Sequence, residues 1–223
     1  RHDPVTGMHN RPGFSAVLER EAASATAAGR PVPVLLLSLD RMRRARETLV
    51  QGAADRIVAD IAQRLRLAAA AFNPPPEVAR ITTDELAVIF RHTARPDEVA
   101  DAAECLVEAL AVPFEAGGQL FHLRPAGGLA MFPQDGESCE ATLKAARAAL
   151  LMEGVEGRAL HFYDSERDRQ LTRRLRLEED LRGALAAGQF ELHYQPLVRV
   201  RDRQPVGVEA LLRWTHPTHG QVS

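Results

Sequence analysis

Cysteine is scarce in this sequence. Cys105 and Cys139 are the two present, they fit no metal or redox spacing, and they exclude a disulfide framework. A reducing cytoplasm is the expected setting. Long apolar runs are missing too: VPVLLLSL has only the length of a strand, so no segment is expected to cross a bilayer. No signal peptide is visible. Excess charge of either sign is also absent. With 28 basic and 30 acidic residues the net charge is −2, which excludes a global pull towards nucleic acid or an anionic membrane. Basic residues do cluster at Arg41, Arg43, Arg44 and Arg46, and again from Arg167 to Arg176. The first cluster suits either a phosphate or a solvated helix face.

What is present is a core. Hydrophobic residues make up 45% of 223 residues, a length above one small domain and below two full ones. Both ends read as cuts, RHDPVTG at the start and HGQVS at the finish, so a piece of a longer protein is expected. The first segment opens with turn residues and becomes helical, with Phe14, Val17, Leu18 and Glu21 at helical spacing. PVPVLLLSLD is a continuous apolar run suited to a strand buried on both faces. From Glu47 to Ala71 apolar residues recur in steps of three and four, at Leu49, Ala53, Ile57, Ile61, Leu65 and Ala68, which predicts a long amphipathic helix. NPPP at Asn73 to Pro76 stops it.

Two short strands follow, EVARIT and ELAVIF, then a second amphipathic helix between Asp97 and Pro113. FEAGGQLFHLRPAGGLAMFP reads as another hairpin with glycine-rich breaks. EATLKAARAALLMEG is a third such helix, ended by Gly154, and ALHFYD is a closing strand. The order predicts an α/β fold, an α+β sandwich with one sheet. After Asp164 comes a charged helix with Leu171, Leu175, Leu181 and Leu185 near one stripe. FELHYQPLVRVRDRQPVGVEALLRW then gives two strands around a polar turn. The remaining residues are too few for an independent core, so these strands are expected to be poorly ordered or packed against another molecule.

RITTDEL, Arg80 to Leu86, raises a question. It reads as a strand, a two-residue Thr-Thr turn and a second strand. Tight hairpin turns favour Gly, Asn or Asp, because these tolerate φ > 0 and β-branched residues do not. The turn is therefore expected to change shape rather than carry strain.

The wording resembles a known family. DPVTGMHNRPGF is similar to the opening of GGDEF domains, and RITTDELAVIF sits where that family carries its signature turn. FELHYQPLV followed by GVEALLRWTHPTHG resembles the start of an EAL domain. The resemblance implies a GGDEF–EAL tandem protein of cyclic di-GMP signalling. Residues 1–164 would be the GGDEF domain, 165–187 a linking helix and 188–223 the beginning of an EAL domain. It implies a nucleotide-cyclase-like palm with a central, mostly antiparallel sheet flanked by helices, then an incomplete (β/α)8 barrel segment. It also implies two activities: condensation of two GTP into cyclic di-GMP by a dimer with two magnesium ions, and metal-assisted hydrolysis of cyclic di-GMP.

Carried over residue by residue, the cyclase site is altered. The first-strand metal carboxylate falls at Ser38, a neutral hydroxyl. Asp40 lies on the same face, but its Cα is about 6–7 Å further along. The signature glycines are Thr82 and Thr83, whose branched side chains block close approach of a phosphate, while Asp84 and Glu85 keep the acidic pair. The guanine-reading Asn falls at Arg46, which only donates. Asp55 is retained as the second guanine contact, and the phosphate Lys falls at Glu153. The R-x-x-D inhibition motif reads NPPP and is absent. Asp84 and Asp40 remain as metal candidates, and Asp55, Arg43 and Arg46 as weak nucleotide contacts.

In the second segment Glu209 matches the metal-binding Glu of the EAL signature, with Gln195 and Arg213 at positions that contact cyclic di-GMP. Each would function only in a complete barrel. His216 and His219 are expected to be loop histidines. Three readings follow: a non-catalytic GGDEF domain that regulates an attached EAL phosphodiesterase and binds GTP weakly, an active cyclase using Asp40 and Asp84, or a dimerisation scaffold. GTP, cyclic di-GMP and a second copy of the chain are the expected partners, with neither nucleic acid nor membrane.

Overall fold

Strand β1 (Val32–Ser38) is the central strand of the main sheet, and its sequence explains why. Six of its seven residues are buried, as a strand covered on both faces requires. The structure is a computed structural model that describes residues 1–27, 29–39, 53–91, 96–116, 119–151 and 159–222. Contact density divides the chain into two units, Arg1–Asp168 and Arg169–Ser223.

In the first unit α1 (Arg11–Ala27) precedes β1. Then come α2 (Ala53–Ala69), β2 (Glu77–Arg80), β3 (Glu85–Ile89), α3 (Pro96–Ala111), β4 (Phe114–Ala116), β5 (Gln119–Phe121), β6 (Ala126–Phe132), α4 (Cys139–Leu150) and β7 (Leu160–Phe162). The main sheet has the order β2-β3-β1-β6-β7. Its pairings are antiparallel except the last, β6 with β7, which is parallel. Alternation along β1 sends Leu35 and Leu37 to one face and Val34 and Leu36 to the other. The first pair packs with Ile57, Ile61 and Leu65 of α2 and Ala103 and Leu106 of α3. The second packs with Phe14 and Leu18 of α1 and Leu143, Ala146 and Leu150 of α4. Burying each large apolar side chain contributes about 1.5–3 kcal/mol. The part of the predicted long helix before residue 53 lies outside the described residues.

The predicted two-residue Thr-Thr turn is corrected to a four-residue connection, Ile81 to Asp84, between β2 and β3. The Ile81 and Thr82 amides both donate to the Glu85 carbonyl, at 3.0 and 3.3 Å. Neither threonine has a positive φ; among the described residues Arg203 alone of the non-glycines does. Extra length thus relieves the strain that a two-residue turn would impose on branched side chains.

The glycine-rich hairpin is corrected too. β4 and β5 pair with each other, while β6 pairs with β1. Glycine in a strand interior marks a close backbone approach as readily as a break. Gly128 faces Ala146 of α4 so closely that an added Cβ would sit 2.0 Å from that carbonyl oxygen.

The N-terminal turn is tied to the signature hairpin. Asp3 accepts hydrogen bonds from the Thr6 amide and hydroxyl, each at 2.8 Å, and from Arg80 at 3.2 and 3.3 Å. The Arg80 amide in turn donates to the His9 carbonyl. Burial pushes the Asp3 carboxyl up, but these hydrogen bonds outweigh it and hold it below the ordinary carboxylate range.

Helix α5 (Ser165–Ala184) crosses the division between the units. In the second unit β8 (Phe190–Val198), β9 (Pro205–His216) and β10 (Gly220–Val222) form an antiparallel sheet of order β10-β9-β8. Two strands were expected here; the third forms because Gly220, at φ 68°, turns the chain back along β9. Trp214 donates to Gln189 at 3.0 Å, and His216 Nε2 lies 3.1 Å from Asp180 of α5. Among the described residues no helix is long and apolar enough to cross a membrane.

Candidate functional site

Ser38 ends β1, and the register places it directly opposite Glu85, the first residue of β3. Both project from the sheet face covered by α1 and α4, since Leu36 and Ala87, two residues away on each strand, pack there. The side chain opposite Ser38 is already engaged. Arg147 reaches across from α4 and grips Glu85 with both arms of its guanidinium, Nε to Oε1 at 2.7 Å and a terminal nitrogen to Oε2 at 2.8 Å. The Glu85 side chain is 17% exposed and that of Arg147 45%. The two hydrogen bonds to Glu85 raise the Arg147 pKa further above its ordinary value, against the opposing effect of burial.

Asp84 occupies the other side of the turn. Its carbonyl accepts from the Leu39 amide at 2.9 Å, and its amide donates to the Thr82 hydroxyl at 3.3 Å. Its Oδ1 is buried and has no hydrogen-bond partner among the described residues. Thr82 and Thr83 are exposed and line a cleft of about 360 Å³ shared with Asp3, Asn10, Arg11 and Arg80. Asp55 is exposed in the first turn of α2, where the helix dipole favours an anion. Asp40, Arg43, Arg46 and Glu153 lie outside the described residues.

The unpartnered Asp84 oxygen is the observation that favours a metal ion at this turn. The remaining donor set opposes a two-ion centre. Magnesium takes hard oxygen ligands, commonly carboxylates. Ser38 supplies a neutral hydroxyl, and both Glu85 oxygens are committed to Arg147. Among the described residues no group of three or more His, Cys, Asp or Glu is placed to hold a metal. The described residues therefore do not fit a pair of divalent ions.

In the second unit the sheet gathers the predicted residues. Gln195 of β8 lies directly opposite Glu209 of β9, and Glu191 opposite Arg213. By alternation Gln195, Glu209 and Arg213 share one face, and Gln195 and Glu209 are exposed. Both His216 ring nitrogens are engaged, Nε2 with Asp180 and Nδ1 accepting from the Thr218 and His219 amides. The expected loop setting fits His219, in the turn after β9, and is corrected for His216, which ends β9 and is buried. Sequence reasoning missed Arg147, because a single arginine in KAARAALL looks like any solvated helix residue. It also missed the pairing of Asp3 with Arg80, although both residues stand in quoted stretches.

A five-stranded palm with the signature hairpin β2–β3 at one side of the sheet defines a nucleotide-cyclase-like domain. Residues 1–159 match the family model of the diguanylate cyclase GGDEF domain, and the chain belongs to that family. Residues 178–223 match part of the EAL domain model. The cyclic di-GMP phosphodiesterase NbdA of Pseudomonas aeruginosa is 31% identical over 99% of this chain and 28% of its own length. MucR of the same species, a bifunctional diguanylate cyclase/cyclic di-GMP phosphodiesterase, is 30% identical over the whole chain and 32% of its own. The chain thus spans under a third of each of these two relatives. The GGDEF domain of TpbB (YfiN) from the same organism superposes with a TM-score of 0.68, covering 78% of this chain and 99% of that domain. At 23% identity it supports the fold alone. GGDEF and EAL domains generally use divalent metal ions.

Proposed function

We propose that the GGDEF domain of this cyclic di-GMP signalling protein does no cyclase chemistry. It regulates an attached EAL domain that hydrolyses cyclic di-GMP in a longer cytoplasmic protein. The observation that carries this reading is the pairing of Ser38 with Glu85 across β1 and β3, with Thr82 and Thr83 in the turn. Phosphoryl transfer of this kind depends on metal ions and positioned charge rather than on covalent help from the protein. A neutral hydroxyl at the strand tip removes one anionic ligand. Two branched side chains at the turn oppose the close approach of a triphosphate. Weak GTP binding through Asp55, Arg43 and Arg46 remains compatible with a regulatory role.

The second reading, an active cyclase with metal on Asp84 and Asp40, draws support from the unpartnered Asp84 Oδ1. Incubating the chain with GTP and magnesium separates the two. No cyclic di-GMP is expected, and clear turnover would overturn the non-catalytic reading. GTP calorimetry then separates regulation from a bare dimerisation scaffold: measurable heat supports the former, and its absence at high GTP supports the latter.

A further inference from the structure

The charges around Glu85 balance without any ion. Ser38 is neutral, Glu85 carries one negative charge and Arg147 one positive charge. An arginine guanidinium stays protonated at all ordinary pH, and its planar fork matches a carboxylate with two parallel hydrogen bonds. Here both bonds form, at 2.7 and 2.8 Å, and the carboxylate they satisfy is mostly buried. A divalent ion entering between positions 38 and 85 would meet a fixed positive charge. It would also have to break the fork, leaving the guanidinium unpaired beside two added charges. The neutral residue at the strand tip and the arginine on α4 have the same electrostatic consequence: between positions 38 and 85 no net negative charge is left for a cation to neutralise, and Asp84 alone supplies an unpartnered carboxylate oxygen.

We propose that Arg147 is the resident cation of the signature site. Its guanidinium holds Glu85 in place of a divalent ion and makes the site reject Mg²⁺ and Mn²⁺. The inference rests on the non-catalytic reading of the domain, and it assigns to one side chain the exclusion of metal. Arg147 also ties α4 to β3, so the test reads ion binding rather than stability alone.

The experiment titrates the full chain with Mn²⁺, without nucleotide, and follows free Mn²⁺ by electron paramagnetic resonance. Four variants are compared with the unaltered chain: Ser38→Asp, Arg147→Gln, the double substitution Ser38→Asp/Arg147→Gln, and Ser38→Asp/Arg147→Lys. The double substitution is expected to bind Mn²⁺ at least about tenfold more tightly than the unaltered chain, because added ligand charge raises affinity for hard cations. Ser38→Asp alone should gain less than about threefold, since Arg147 still holds Glu85. The Lys variant keeps the positive charge and should stay near Ser38→Asp alone.

Equal affinity in the unaltered chain and the double substitution would overturn the proposal, as would a Lys variant that binds as tightly as the Gln variant. Should the Gln variants fail to unfold cooperatively, Ser38→Asp decides, because it leaves the α4 contact intact: a tenfold gain there overturns the proposal. Because no GTP is present, this outcome is independent of the turnover assay. A cyclase-active chain that rejects Mn²⁺ alone sinks the non-catalytic reading. An inactive chain that binds Mn²⁺ tightly sinks the assignment to Arg147.

Discussion

Gly128→Val is expected to destabilise the GGDEF domain by about 3 kcal/mol, at the upper end for overpacking of a core. Gly128 pairs with Leu36 at the centre of the sheet, on the face covered by α4. An added Cβ would stand 2.0 Å from the Ala146 carbonyl oxygen and 3.1 Å from Leu150 Cγ. The first obstacle is helix backbone, which cannot rotate away as a side chain can. The helix must therefore lift from the sheet and loosen Leu143, Ala146 and Leu150 together. Interiors are packed too densely for that shift to be absorbed locally. Urea unfolding followed by circular dichroism measures the effect. Gly207→Ala is the control, because its Cβ would meet only Leu197 Cδ1 at 3.9 Å. A surface change of that kind should stay within about 0.5 kcal/mol. Similar stability losses for both would refute the close-approach explanation.

Arg80→Met should cost about 2 kcal/mol at neutral pH, since removing one partner leaves the Asp3 carboxylate largely buried and short of its charged donor. The side chains of Arg80 and Asp3 are 10% and 18% exposed. The effect should depend on pH in a definite direction. Folded Asp3 has a carboxyl pKa below its ordinary value of 3.8. In acid the unfolded chain therefore binds the proton first, and stability falls with falling pH. The contribution of the pair is complete above about pH 4 and disappears as pH drops through the folded value. The gap between the unaltered chain and Arg80→Met should accordingly narrow on acidification. Urea midpoints at about pH 7, 4 and 3 test this. A gap that widens in acid would mean that the carboxylate is not the stabilised species.

Much of this architecture is legible in short stretches. The run VPVLLLS is short, wholly apolar up to its last residue and bounded by proline and turn residues, which suits a covered strand, and it forms one in β1. Ile57, Ile61 and Leu65 recur at helical spacing and meet the sheet along α2. The two stretches that resemble the GGDEF opening and signature are brought together by Asp3, His9 and Arg80. Other features were illegible for a shared reason. Gly127 and Gly128 read as a break, because local sequence does not reveal that Val107 and Leu160 crowd Gly127 on one face of the sheet and α4 lies against Gly128 on the other. Thr82 and Thr83 read as a strained pair because the length of the connection depends on where β2 and β3 stop pairing.

The sequence by itself determined most of the elements, the family and the residue types that stand at Ser38, Thr82 and Thr83, because each follows from residue type and short-range spacing. Tertiary structure alone decided that Arg147, 62 residues beyond Glu85, closes on that carboxylate. The register of β3 against β1 and the docking of α4 on the sheet set that distance, and both depend on burial summed over the whole core rather than on any local pattern.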